Sequence, residues 1–397
     1  MIKYTFAIIL GFFLFFACND SEKHTKIHSF PEWNEEKYKE YKKDSTLYLF
    51  LTGGFSESLF SKTELKPNTL PKQMPHAIKV GGMPILKSYL NTIKERLPES
   101  ALIFGMTGTK KEKSELKKRK FNESIKSLSL DALLLTQKVL PIDHKVEADE
   151  SYNELPWLNS NILSLNTGKA TELLGNEPFK IFEKNGIKVG VLGATSYQQL
   201  SPTERNNING YFYEDPVSTI LRHRTHLKKK GVDIIVLLLN SPVSCQKSVD
   251  YHFTLLKDLK KTEQICDKNF EAITLLDQLP LNAIDIIFTN QPLTGASLHR
   301  GVPIISTYQP EKFISGLRLI IEKGKINLEE SLLLPHIKLC HQVFIGTQDC
   351  IFKTESQDFN QKRFSMLEKS AFGLTLARFM GKEIKEDTTL LENLNRK

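Results

Sequence analysis

This sequence predicts an α/β fold of sheets covered by helices, and three observations predict it. Short, continuous apolar runs recur at residues 47–51, 101–104, 132–135, 188–192, 233–239 and 284–288. Runs of this length without polar alternation belong to strands buried on both faces. Stretches with helical apolar spacing lie between them, and strand alternating with helix places helices over sheets. Five of the runs close in turn-forming loops: Leu51-Thr-Gly-Gly-Phe-Ser56, Gly105-Met-Thr-Gly-Thr109, Leu135-Thr-Gln-Lys-Val139, Leu239-Asn-Ser-Pro242 and Phe288-Thr-Asn-Gln-Pro292.

In chain order, residues 1–18 read as an export signal. Lys3 gives a positive start, 6–16 is almost unbroken apolar sequence, and Ala17-Cys18 precedes the polar Asn19-Asp20-Ser21-Glu22. The run is shorter than the roughly 20 apolar residues of a permanent membrane helix. Its ending, Phe15-Phe16-Ala17-Cys18, resembles the bacterial lipoprotein cleavage site. That resemblance implies a lipidated Cys18, a membrane as partner and a place in the cell envelope outside the cytoplasm. An ordinary signal peptide with an incidental cysteine is the alternative, and the sequence leaves inner and outer membrane open.

Residues 19–45 are charged and poor in aliphatics, as a tether would be. The folded part starts with the run at 47–51. A helix is predicted over 85–97, with apolar residues at 85, 86, 89, 90, 93 and 97 and Pro98 as its stop. A second is predicted over 217–230, with Asp215 as cap, Pro216 in the first turn and Gly231 beyond its end.

The chain has 397 residues and 40% apolar content, enough for one large core. Its formal net charge is +8, from 54 basic and 46 acidic residues. Lysine runs at Lys110-Lys-Glu-Lys113, Lys117-Lys-Arg-Lys120 and Lys228-Lys-Lys230 carry no interleaved aromatics to stack on bases. They read as solvated faces, and nucleic acid is not expected as a partner. Lipidation of Cys18 would leave four cysteines in two local pairs, Cys245 with Cys266 and Cys340 with Cys350. Export favours two disulfides over buried free thiols. Zinc is disfavoured by the absence of any Cys-x-x-Cys spacing.

Several blocks carry a family resemblance. Gly81-Gly-Met-Pro-Ile-Leu-Lys-Ser-Tyr-Leu90, Phe121-Asn-Glu-Ser-Ile-Lys-Ser-Leu-Ser-Leu-Asp-Ala132, Asn159-Ser-Asn161 with Phe179 to Gly193, Glu214-Asp-Pro-Val217, and Gly301 through Ile326 resemble the bacterial 5′-nucleotidase branch of the dinuclear, calcineurin-like metallophosphatases. The resemblance spans 46–335 and implies a four-layer αββα sandwich, followed by a C-terminal tail over 336–397. Within the tail, Ser365 to Met380 is similar to the helix that opens the family's second, nucleotide-recognising domain.

In that family the five loops carry Asp-x-His, Gly-Asp, Gly-Asn-His-Glu, a lone His and Gly-His-x-His, which hold two divalent metal ions. Here Gly54 and Ser56 occupy the first loop and Gly108 the second. Gln137 and Lys138 stand in the third, Asn240 in the fourth, and Gln291 and Leu293 in the fifth. These substitutes carry no negative charge and no imidazole, and Lys138 repels cations. The resemblance therefore implies a vestigial site: no catalytic residues, no metal cofactor, and a binding or scaffold role with a possible protein partner. The alternative is an active phosphoesterase with a different ligand set, drawing on Asp143 or His144. His223 and His226, at i and i+3, read as part of a polar helix face. Ser241 has no recognisable His or Asp partner in the sequence to make it a nucleophile.

Overall fold

The computed structural model describes residues 45–53, 55, 59–65, 77–106, 115–136, 154–170, 175–200, 211–245, 253–261, 266–289, 296–306, 312–344, 350 and 373–395. Its first four main strands, β1 (Thr46–Gly53), β2 (Ala101–Met106), β3 (Ala132–Leu134) and β4 (Trp157–Leu158), run parallel in one sheet. The chain then builds a second sheet from β5 (Phe179–Lys184), β6 (Ile187–Thr195), β7 (Ile234–Asn240), β8 (Ile286–Thr289), β9 (Ser297–His299) and β10 (Val302–Ser306). Its order is β9-β10-β8-β7-β6-β5, parallel except at the two edges. Finally β11 (Phe313–Glu322) and β12 (Leu332–Lys338) return to the first sheet, β11 pairing antiparallel with β1.

Side-chain alternation along these strands separates three cores. Leu47, Leu49 and Leu51 of β1 meet Val189 and Val191 of β6 and Val236 and Leu238 of β7 between the sheets. Tyr48 and Phe50 point the other way, into a core shared with α1 (Met83–Arg96), α2 (Glu115–Ser127) and, through Leu390 and Leu394, the C-terminal helix. On the far side, Leu192, Ile235 and Leu237 pack beneath α3 (Pro216–Lys229) and α4 (Glu271–Gln278). Helix, sheet, sheet and helix make the four-layer αββα sandwich.

Three aspartates set the register at the amino ends of the parallel strands. Asp131, Asp233 and Asp285 each precede a strand, and each carboxylate accepts a backbone N–H from the neighbouring strand, from Ile103, Lys188 and Ile235 at 2.7, 2.9 and 2.8 Å. Burial pushes the Asp131 and Asp285 carboxyls above the ordinary range, against the pull of those hydrogen bonds. Helix α3 starts as its sequence requires: the Asp215 carboxylate accepts from the Ser218 N–H at 2.8 Å, with Pro216 in the first turn.

The C-terminal segment departs from expectation. Residues 374–379, expected within a helix, form short strands: Leu374–Leu376 pairs with Gln342–Phe344, and Arg378–Phe379 with Lys382–Glu383. Pairing with a strand beside Cys340 overrides the local pattern there. Residues 365–372 lie outside the described residues. Helix α5 (Thr388–Asn395) closes the segment and buries Leu390 and Leu394 in the α1–α2 core.

Both cysteine pairs are disulfides, Cys245–Cys266 and Cys340–Cys350. The first ties the segment after β7 to the approach of α4. The second sits against α1, where the Tyr89 hydroxyl donates to the Cys340 carbonyl at 2.9 Å. Among the described residues no helix is long and apolar enough to cross a membrane.

Candidate functional site

Ligands of open α/β sheets bind at the carboxyl ends of the strands. Here those ends gather buried hydroxyl and amide groups: Thr52 near the end of β1, Thr136 after β3, Asn159 after β4, Thr195 at the end of β6 with Ser196 after it, Asn240 at the end of β7 with Ser241 after it, and Thr289 at the end of β8. Gly193 allows the sheets to meet, since a Cβ there would lie 2.3 Å from the Leu158 carbonyl oxygen. Across this contact Ser160 donates to the Gly193 carbonyl through its N–H and its hydroxyl, both at 2.7 Å.

Two asparagines hold the junction. Asn159 Nδ2 donates to the Leu135 carbonyl at 2.8 Å and to Thr195 Oγ1 at 3.1 Å, while its Oδ1 accepts the N–H groups of Asn161 and Ile162. Asn161 Nδ2 donates to the carbonyls of Thr195 and Glu214. Further along, Thr289 Oγ1 donates to the Ser241 carbonyl at 2.7 Å, and Ser315 links the Ser306 carbonyl to His336 Nδ1, each at 3.0 Å. Thr52 Oγ1 and Ser196 Oγ are buried with no hydrogen-bond partner among the described residues.

Of the vestigial positions expected from the sequence, the structure describes Asn240, buried at the end of β7, where its carbonyl accepts the Ser196 N–H at 3.0 Å. Gly54, Ser56, Gly108, Gln137, Lys138, Gln291 and Leu293 lie outside the described residues, as do Asp143, His144 and Cys18. Ser241 is buried and its hydroxyl donates to the Pro242 carbonyl at 3.2 Å, with no hydrogen bond to a general base among the described residues. His223 and His226 lean on the Phe179 ring, at centroid distances of 5.4 and 5.3 Å. Burial, aided by Arg222, lowers the His223 pKa to about 4. Sequence reasoning passed over Thr52, Thr195, Ser196 and Thr289, whose signal is a polar residue closing an apolar run.

Among the described residues no group of three or more His, Cys, Asp and Glu side chains could hold a metal ion. The donors that the described residues place at the strand ends are neutral oxygens and amides, which do not fit a pair of divalent cations.

No protein-family model matches the chain, and no curated protein matches its sequence. Solved structures do. The 5′-nucleotidase precursor from Thermus thermophilus superposes with a TM-score of 0.52 at 15% identity, over 74% of this chain and 55% of that one. The fold is that of the 5′-nucleotidase metallophosphatases. A Thermus thermophilus sulfate thiohydrolase, SoxB, shares it at a TM-score of 0.52 and 13% identity, over 74% of this chain and 57% of that one. So does the NAD nucleotidase of Haemophilus influenzae, at 0.50 and 13%, over 88% and 66%. The chain thus spans between about half and two thirds of the length of these 5′-nucleotidase-fold proteins.

Proposed function

We propose that this chain is a lipid-anchored, extracytoplasmic 5′-nucleotidase-like metallophosphatase homologue that has lost metal binding and hydrolysis and serves as a binding or scaffold module. The donor set at the strand ends carries this reading. Asn240 stands where the fourth block's histidine would be, its carbonyl bonded to the Ser196 N–H, and the buried Thr52 and Thr289 at other strand ends are likewise neutral. Dinuclear hydrolysis needs carboxylates and imidazoles to concentrate two cations and to lower the pKa of a bound water. Neutral oxygens hold such ions weakly.

The remaining vestigial positions add Gly54, Ser56, Gly108, Gln137, Gln291 and Leu293, none of them charged, and the cation of Lys138. A cleft of this composition suits an anion better than a metal. The anchor rests on Cys18 and its flanking sequence.

The test is phosphate release from nucleotides and from an aryl phosphate, with manganese or zinc present and with or without chelator. The expected result is no chelator-sensitive release. Release abolished by chelator overturns the reading and favours an active phosphoesterase with a different ligand set.

A further inference from the structure

We infer that the end of the sandwich at which the tether enters is a docking face for an anionic phospholipid surface, with the carboxyl ends of the parallel strands directed away from the bilayer. The inference rests on the lipid-anchor reading of Cys18.

The chain arrives at Ser45, whose carbonyl accepts the Ile321 N–H at 2.8 Å just before β1. Several contacts join the surrounding segments into one face. Asn185 Nδ2 donates to the Thr46 carbonyl and Lys184 Nζ to the Pro98 carbonyl, both at 2.9 Å. The Lys188 N–H donates to the Asp233 carboxylate at 2.9 Å, and Lys228 Nζ to the carbonyls of Val232 and Asp233, both at 3.1 Å. The turn at Gly324 lies against the same aspartate, since a Cβ there would be 3.2 Å from Asp233 Oδ1.

These segments, 98–100, 183–188, 228–233 and 322–325, hold seven lysines against four acids, Glu99, Glu183, Asp233 and Glu322. Lys188, Lys229, Lys230, Lys323 and Lys325 are exposed, whereas Asp233 is half-buried and already hydrogen-bonded. Residues 19–45 hold six lysines and seven acids, so the folded face rather than the tether supplies positive charge. These 27 residues reach at most roughly 95 Å when extended. A lipid on Cys18 would keep the face near the bilayer without fixing its orientation. Attraction between lysines and anionic headgroups acts within about 10 Å at 0.1 M salt, enough to orient a tethered domain.

The opposite end provides a control. The hairpin Lys62–Leu65 with Ala77–Val80 abuts Leu339, which bonds Lys312 beside the carboxyl end of β1, and it carries the exposed Lys79.

The full-length protein, purified from membranes, is placed in vesicles of phosphatidylcholine alone or mixed with phosphatidylglycerol. Lysines are then labelled with a membrane-impermeant amine reagent and read by mass spectrometry. Labelling of Lys188, Lys323 and Lys325 is expected to fall about threefold or more in the anionic vesicles. High salt should restore it, and Lys79 should stay constant. A Lys188→Glu, Lys323→Glu, Lys325→Glu variant should show no vesicle-dependent change in labelling at Lys229 and Lys230.

Equal labelling in both vesicle types overturns the inference. So does equal protection in neutral vesicles, which assigns the shielding to nearness of the bilayer and not to headgroup charge. The mass of the Cys18 peptide reports acylation separately. If it is unmodified, the anchor reading fails, and salt-sensitive co-sedimentation with anionic vesicles still decides the face.

Discussion

Asn161 and Thr195 exchange two hydrogen bonds: Asn161 Nδ2 donates to the Thr195 carbonyl and the Thr195 N–H donates to Asn161 Oδ1, both at 2.8 Å. One residue follows β4 in the first sheet and the other ends β6 in the second, so this exchange latches the sheets near the carboxyl ends of their strands. Asn161→Ala leaves two buried backbone groups of Thr195 unpaired. It is expected to destabilise the protein by about 3 kcal/mol. Denaturant unfolding checks this, with the exposed Asn166→Ala expected within about 0.5 kcal/mol of wild type.

Gly193 is a point of close approach between the sheets. Gly193→Ala would drive a methyl group into the Leu158 carbonyl at 2.3 Å, with backbone on both sides unable to yield cheaply. A loss of about 3 kcal/mol or more, or failure to accumulate folded protein, is expected. At Gly186, where nothing lies within 4 Å but φ is +71°, alanine meets backbone strain alone. About 1 kcal/mol is expected there.

His223 has a folded-state pKa of about 4, below the ordinary histidine value, chiefly because it is buried. Between these two values the unfolded chain binds the proton more readily. Stability is therefore fully present above the ordinary range and falls as pH drops toward 4. His223→Gln should flatten the change in melting temperature between pH 7 and 4.5 relative to wild type. An unchanged slope would assign that acid sensitivity to other groups.

The disulfides close segments of 21 and 10 residues. Constraint of the unfolded chain predicts about 3 kcal/mol of stability from each. Cys245→Ser with Cys266→Ser, and Cys340→Ser with Cys350→Ser, should each lower the denaturant midpoint by the corresponding amount.

Much of the fold is legible in the sequence because burial on both faces leaves continuous apolar runs. Residues 47–51 and 101–104 fall within parallel strands, as does 233–239 apart from Asp233, which immediately precedes its strand, and Asp215-Pro216 opens α3 as capping chemistry requires. The Asn159-Ser-Asn161 pattern is visible as sequence, but its role in joining the sheets depends on a partner 34 residues from Asn161. The strands at 374–379 were hidden for a related reason: their stability comes from pairing with Gln342–Phe344 and from the fold around it, not from local propensity. At the site, the sequence shows which chemical groups are present, whereas only the fold reveals that Thr52, Ser196 and Asn240 are buried at strand ends of the two sheets.

Loss of metal binding is tested most directly by the metal content of the purified chain after incubation with manganese and zinc followed by desalting. Elemental analysis should find far less than one ion per chain. Two tightly held ions per chain would contradict it.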